Sequence, residues 1–190
     1  MAISSLNDIK KGKVLDIDNQ PYLVVEANFV RMQQRKPVMQ TKLKSLITNK
    51  VIENNFHPGD RVEEADLTHR RSGYLYSDPD HAYFMNNETY EQFGISLEQM
   101  GDQARFLKEG MEVDALYYNG EPVSVELPGK VNLKVVQTID GARGDTAQGK
   151  VTKPATMETG FDVNVPLFIK EGDVIKVNTE TGEYLERVNE

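Results

Sequence analysis

The chain reads as an all-β protein made of three small barrels, with one short helix in its middle third. Three observations predict this. Short runs of β-branched, aromatic and aliphatic residues recur along the whole length, with turn-forming clusters between them. A helical period of 3.6 is confined to one segment. Formal charge divides the 190 residues into three unlike parts. Residues 1–65 carry ten Lys and Arg against eight Asp and Glu, net +2. Residues 66–127 carry four against twelve, net −8, and residues 128–190 eight against ten, net −2. The shifts near Ala65 and Pro128-Gly129 suggest units 1–65, 66–128 and 129–190, each the size of a five-stranded barrel.

Five hairpins carry the strand reading. Val14-Leu15-Asp16-Ile17 and Tyr22-Leu23-Val24-Val25 flank Asp18-Asn19-Gln20-Pro21. Residues 38–47 and 51–56 flank Thr48-Asn49-Lys50, and Tyr74-Leu75-Tyr76 and Tyr83-Phe84-Met85 flank Ser77-Asp78-Pro79-Asp80. Residues 115–118 and 123–127 flank Asn119-Gly120, the strongest short hairpin signal. The last pair, residues 174–177 and 184–188, flanks residues 179–182. Ser96-Leu97-Glu98-Gln99 has the form of a capping box and predicts a helix through Leu107, apolar at Leu97, Met100, Ala104 and Leu107. A second helical piece is expected near Asn87-Glu88-Thr89. No internal repeat is visible.

Composition excludes several chemistries. There is no Cys, hence no disulfide, thiolate nucleophile or Cys-ligated metal. No apolar run approaches the ~20 residues of a membrane span, and residues 1–13 lack the apolar core of a signal peptide, so a cytoplasmic chain is expected. His57, His69 and His81 lie twelve apart without helical ligand spacing, which argues against a metal site. Gly144-Asp145-Thr146-Ala147-Gln148-Gly149-Lys150 fits the start of a phosphate-binding loop. The next residue is Val151, where magnesium needs Ser or Thr, and Pro154 opposes the helix that must follow. No acid–base pair or Ser nucleophile stands out. The sequence therefore predicts no enzyme, cofactor or metal.

A basic stretch remains. Residues 27–52 hold Arg31, Arg35, Lys36, Lys42, Lys44 and Lys50 and no acidic residue. Charge of one sign over that length points to a polyanion such as nucleic acid, although a basic strand edge that only prevents aggregation has the same pattern. Arg31-Met32-Gln33-Gln34-Arg35-Lys36-Pro37 joins two strand-like runs, and Pro37 stiffens the return. The segment fits a basic finger for a phosphate-lined cavity and equally an ordinary exposed loop.

Longer motifs resemble the bacterial elongation factor P family over essentially all 190 residues. Lys153-Pro154-Ala155-Thr156-Met157-Glu158-Thr159-Gly160, Val163-Asn164-Val165-Pro166-Leu167-Phe168-Ile169 and Gly172 follow the family pattern K-x-A-x4-G-x2-V-x-V-P-x2-I-x2-G. Phe84-Met85-Asn86-Asn87-Glu88-Thr89-Tyr90-Glu91-Gln92 resembles its middle domain, and Gly182-Glu183-Tyr184 with Arg187 its C-terminal end. The resemblance implies an SH3-like first domain and two OB-type domains in an L-shape. It also implies a non-catalytic, monomeric factor without cofactor or membrane. Such a factor enters the ribosome, touching both subunits and ribosomal RNA, beside P-site tRNA, and relieves stalling at consecutive prolines. By the same resemblance, Gln33, Gln34, Arg35 and Lys36 form the fingertip near the tRNA acceptor end. Arg31, Lys42 and Lys44 contact RNA backbone, and Gly144, Asp145 and Thr146 with Tyr184 and Arg187 face E-site message and the small subunit. The alternative is a general OB-type RNA-binding protein without a ribosomal role.

One position departs from the pattern. Four residues after the strand-ending Val, many family members carry a modified lysine or arginine, often between glycines. Counted without gaps from Val30, that position is Gln34, between Gln33 and Arg35. Gln cannot accept the usual chemistry of those modifications. A shift of one or two residues brings in Arg35 or Lys36. The expectation is an unmodified tip that works through Gln34 supported by Arg35.

Overall fold

The computed structural model describes residues 2–3, 5–31, 36–139 and 151–188. Among the described residues, the strands form three curled antiparallel sheets. The first contains β1 (Ala2–Ile3), β2 (Val14–Ile17), β3 (Gln20–Val30), β4 (Val38–Ser45), β5 (Val51–Phe56) and β6 (Val62–Glu64), in the order β1-β6-β2-β3-β4-β5. The second contains β7 (Leu67–Ser77), β8 (His81–Asn86), β9 (Gln92–Ser96), β10 (Glu112–Tyr118) and β11 (Glu121–Glu126), in the order β11-β10-β7-β8-β9. The third contains β12 (Lys130–Thr138), β13 (Thr152–Met157), β14 (Asp162–Pro166), β15 (Val174–Asn178) and β16 (Tyr184–Val188), in the order β14-β13-β12-β15-β16. The second and third sheets share one topology. The first strand is central, the second and third lie to one side, and the fourth and fifth to the other.

The hairpin signals act through backbone geometry. Asp18 and Asn19 (φ 53° and 58°) and Asn119 and Gly120 (φ 51° and 87°) are two-residue turns with positive φ at both positions. That twist matches the flanking strands. Alternation buries one face of each sheet. Leu15, Val24, Met39, Leu43 and Phe56 fill the first core. Ala82, Phe84, Ile95, Val113 and Ala115 fill the second, and Leu133, Met157, Val165, Ile175 and Val177 the third.

The helix differs from its sequence reading. Only Leu97–Met100 (α1) is α-helical, and Gly101–Phe106 continues as a 3₁₀ segment. Ser96 makes no side-chain cap bond. Gln99, the expected return partner of the box, donates instead to the backbone carbonyls of Leu46 and Val123. The apolar face is as read: Met100 and Leu107 are buried in the second core, with Leu97 and Ala104 packed against it. Residues 87–89 form a turn rather than a helix. The buried Asn86 side chain accepts the N–H groups of Glu88 and Thr89 at 2.8 and 3.2 Å, so a local turn outcompetes the helix. Asn178 repeats this with Glu180 and Thr181 at 2.8 and 3.1 Å.

Adjacent barrels are welded through side chains. Phe106, 1% exposed, enters the third core, while the next residue, Leu107, enters the second. Lys108 Nζ lies 2.8 Å from Glu158 Oε1, which also accepts the Lys134 N–H at 2.9 Å. Burial alone would raise the Glu158 pKa, but the bonds and charges of Lys108 and Lys134 outweigh it and leave the carboxyl below its ordinary value. Between the first two barrels, Leu116, Tyr118 and Val123 pack with Leu46, Ala65 and Leu67. The Tyr118 hydroxyl donates to Asp16 Oδ2 at 2.7 Å.

Two expectations follow. Phe106→Ala should cost about 3–5 kcal/mol, felt mainly by the third barrel, and separate the urea unfolding of the second and third barrels into two transitions. Glu158 is held ionised, so its stabilising contribution is complete above the ordinary value of 4.5 and is lost as pH falls through the depressed folded value. The stability gap between the wild type and Glu158→Gln, measured by urea titration, should therefore be full above the ordinary value and close progressively as pH is lowered beneath it.

Candidate nucleic-acid interface

The basic finger grows from the β3–β4 hairpin, paired from Tyr22↔Ser45 out to Val30↔Val38. A bulge between Val24 and Glu26 interrupts the alternation of β3. The sequence reading therefore recognised only its two ends, whereas the strand runs unbroken for 11 residues. On β4, Met39, Thr41, Leu43 and Ser45 face inward, and Gln40 and Lys42 outward. Thr41 donates its hydroxyl to the Asn54 carbonyl at 2.8 Å, which ties β4 to β5. At the far end Arg31 and Lys36 are exposed. Gln33, Gln34 and Arg35 lie outside the described residues. Phe29, 47% exposed, and Pro37 line a cavity of about 320 Å³ at the finger's base, together with His57.

Cross-strand pairing changes the charge picture. The run without acids is continuous in sequence, but antiparallel register sets Lys42 opposite Glu26 on β3 and Glu53 on β5. Lys42 Nζ lies 3.0 Å from Glu26 Oε2. The hydrogen bond to Glu26 raises the Lys42 pKa, and the same bond, helped by Asn28, lowers that of Glu26. Lys42 is thus partly neutralised before any ligand arrives. Arg31, Lys36 and Lys44 make no ion pair among the described residues.

At the other end of the molecule, Gly144, Asp145 and Thr146, and the whole phosphate-loop-like stretch through Lys150, lie outside the described residues. Lys153 is only 4% exposed and sits at an inward position of β13, in the same row as Ala155 and Met157. Its Nζ donates to the Ile139 carbonyl at 2.6 Å, and so clamps the two chain segments that bracket Gly144-Asp145-Thr146. Sequence reasoning used Lys153 only as a motif position. Its signal was the alternation Lys153, Ala155, Met157, which places a charge in an apolar row. Tyr184 packs half-buried on the third core. Arg187 stacks over Phe168 at 5.9 Å and lies 3.9 Å from Asp173. Among the histidines, His57 and His81 sit 3.7 and 4.0 Å from Asp60 and Asp78. Among the described residues, no three His, Asp or Glu side chains gather as a metal site. No helix among them is long and apolar enough to cross a membrane.

Comparison with known proteins accounts for all three sheets. Residues 5–62 match the model described as Elongation factor P (EF-P) KOW-like domain, and residues 67–125 the Elongation factor P (EF-P) OB domain. Residues 131–187 match Elongation factor P, C-terminal. The chain is 44% identical over 186 residues to elongation factor P of Thermodesulfovibrio yellowstonii, covering 98% of this chain and 99% of the relative. It is 46% identical over 184 residues to that of Coprothermobacter proteolyticus, covering 97% and 98%. For Campylobacter jejuni the identity is 42% over 189 residues, with both chains fully covered. Over 67% of its length the chain is similar in fold to a solved eukaryotic translation initiation factor 5A from Methanococcus jannaschii, with TM-score 0.52 at 16% identity and 94% of that chain covered. With every sheet matched in order and relatives aligned from end to end, the chain belongs to the elongation factor P family of translation elongation factors.

Proposed function

We propose that this protein binds the ribosome beside P-site tRNA in the cytoplasm and promotes peptide-bond formation where consecutive prolines stall it, without catalysing a proton transfer itself. The observation that carries the reading is the end-to-end family match, joined to a stiff hairpin whose far end bears Arg31 and Lys36 free of ion pairs among the described residues. Proline's constrained secondary amine is a poor attacker. A factor that orders the acceptor end of the tRNA removes part of the entropic barrier. Lys and Arg contacts to phosphate position the factor and carry no sequence code. In this reading Gln34 is the working tip, a neutral amide able to donate and accept hydrogen bonds without modification. Arg35 supports it, and Gly144, Asp145 and Thr146, together with Tyr184 and Arg187, meet E-site message and the small subunit.

In a reconstituted translation system, adding the protein should speed synthesis through three consecutive prolines and leave a proline-free message nearly unchanged. Equal acceleration of both messages would favour a general RNA binder instead.

The basic residues should not contribute equally. Arg31→Ala and Lys44→Ala should each weaken ribosome binding and reduce the logarithmic salt slope by roughly 0.7–0.9 per lost phosphate contact. Lys42→Ala should change the slope by less, because Glu26 already neutralises much of its charge. Filter-binding titrations between low and physiological salt measure all three.

A further inference from the structure

The second sheet carries an aromatic pair on the face turned away from its core. On β8 the inward residues are Ala82, Phe84 and Asn86, so Tyr83 points outward. On β9 the residue opposite Tyr83 is Gly94, and a β-carbon there would meet the Tyr83 ring at 3.3 Å, so the glycine leaves that ring its place. The Tyr83 hydroxyl donates to Asp78 Oδ2 at 2.8 Å. Asp78 Oδ1 is fixed in turn by the N–H groups of Asp80 and His81 at 2.8 and 2.7 Å. Tyr76 on β7, paired with Tyr83 across the strands, stacks on this anchored ring, with centres 4.9 Å apart and planes 29° from parallel. Tyr76 nevertheless remains 55% exposed. It is a rigid aromatic surface offered to solvent, and ordering it for a partner costs little further entropy.

Tyr76 also lines an open cleft of about 760 Å³ at the seam of the second and third barrels, with Tyr74, Ser77, Lys108, Glu109 and Glu158. The charges there are not balanced. Lys108 is committed to Glu158 at 2.8 Å, whereas the Glu109 side chain makes no ion pair or hydrogen bond among the described residues. The surrounding barrel, residues 66–127, carries net charge −8. A phosphate backbone meets no free cation in the cleft and is repelled, and a cationic partner is attracted. The ring then selects among cations. A guanidinium is planar and weakly hydrated and stacks on an aromatic face, whereas the compact ammonium of lysine holds its water more strongly. The chain makes this pairing with its own rings: Arg70 lies 4.7 Å from the ring centre of Tyr117, and Arg105 5.4 Å from that of Phe161. Among the described residues, no cation lies over Tyr76.

We propose that Tyr76, with Glu109 in the same cleft, is a docking point for an arginine side chain of a basic partner protein, whose guanidinium stacks on the ring and faces the carboxylate. The probes are acetylated and amidated tetra-arginine and tetralysine, titrated at physiological salt into the full-length ¹⁵N-labelled protein. Tetra-arginine should bind about fivefold more tightly than tetralysine, with the largest amide shifts at Tyr76 and Gly110. Tyr76→Ala should weaken tetra-arginine about fivefold and abolish that preference, whereas Tyr76→Phe, which keeps the ring, should retain both. Glu109→Gln should weaken both peptides alike. Equal binding of the two peptides to the wild type overturns the proposal, as do shifts centred elsewhere or an affinity indifferent to Tyr76→Ala or Glu109→Gln. So do shifts of Tyr76 and Gly110 by hexauridylate at equal concentration, which would mark a nucleic-acid site. If the spectrum of Tyr76→Ala shows a lost fold, the wild-type preference and Glu109→Gln decide alone. Because the readout needs no ribosome, it is independent of the proline-stalling test.

Discussion

The architecture turns on one peptide bond, between Phe106 and Leu107. Consecutive side chains there leave the backbone in opposite directions and are buried in different cores. Burying an aromatic side chain contributes on the order of 1.5–3 kcal/mol, and a cavity in its place costs more. Neither barrel can move away from the other without exposing one of these residues. Arg105, stacked 5.4 Å above Phe161, and the Lys108–Glu158 pair brace the same joint. At the other joint, Gln99 and Tyr118 play the equivalent part, reaching Leu46 in the turn after β4 and Asp16 on β2. Three small barrels, each marginal in size, thereby become one stiff body. The basic finger and the opposite end of the molecule keep a fixed separation.

The joints also explain where the sequence was readable. Turns were legible because their chemistry is local: Asn119-Gly120 and Asp18-Asn19 select positive φ from two residues alone. The apolar face of the helix was legible from its spacing. Its cap was not, because Gln99 finds carbonyls in β11 and in the turn after β4, and nothing near residue 96 encodes them. The helix expected at residues 87–89 failed for the opposite reason, a local competitor in Asn86 that propensity counting ignores. The run Ala115-Leu116-Tyr117-Tyr118 was read as a strand. All four residues are buried, and the second face of the strand is covered by the first barrel. A run of consecutive apolar residues in an otherwise alternating chain was thus the visible trace of an interface.

The candidate site shows the same division. Its basic character was plain in composition, and its membership in a hairpin followed from the flanking strands. The pairing of Lys42 with Glu26 was hidden, because the partner lies 16 positions away and is brought in only by the register of β3 against β4. The bulge beside Glu26 sets that register, so one extra residue in a strand decides which lysine is free. Lys153 was likewise visible as a motif residue, whereas its clamp on Ile139 depends on which face of β13 it occupies.

The position of Phe106 also bears on how the chain is made. The second sheet is complete once residue 126 has been synthesised, whereas the first third-core partner of Phe106, Val131, follows 25 positions after it and the last, Val177, 71 positions after it. At about 5–20 residues per second, the nascent second barrel therefore spends seconds with a large aromatic side chain uncovered. The third barrel then assembles around an anchor already in place. Phe106 acts as a template for its folding, and the order of synthesis makes the middle of the molecule the foundation on which the end is built.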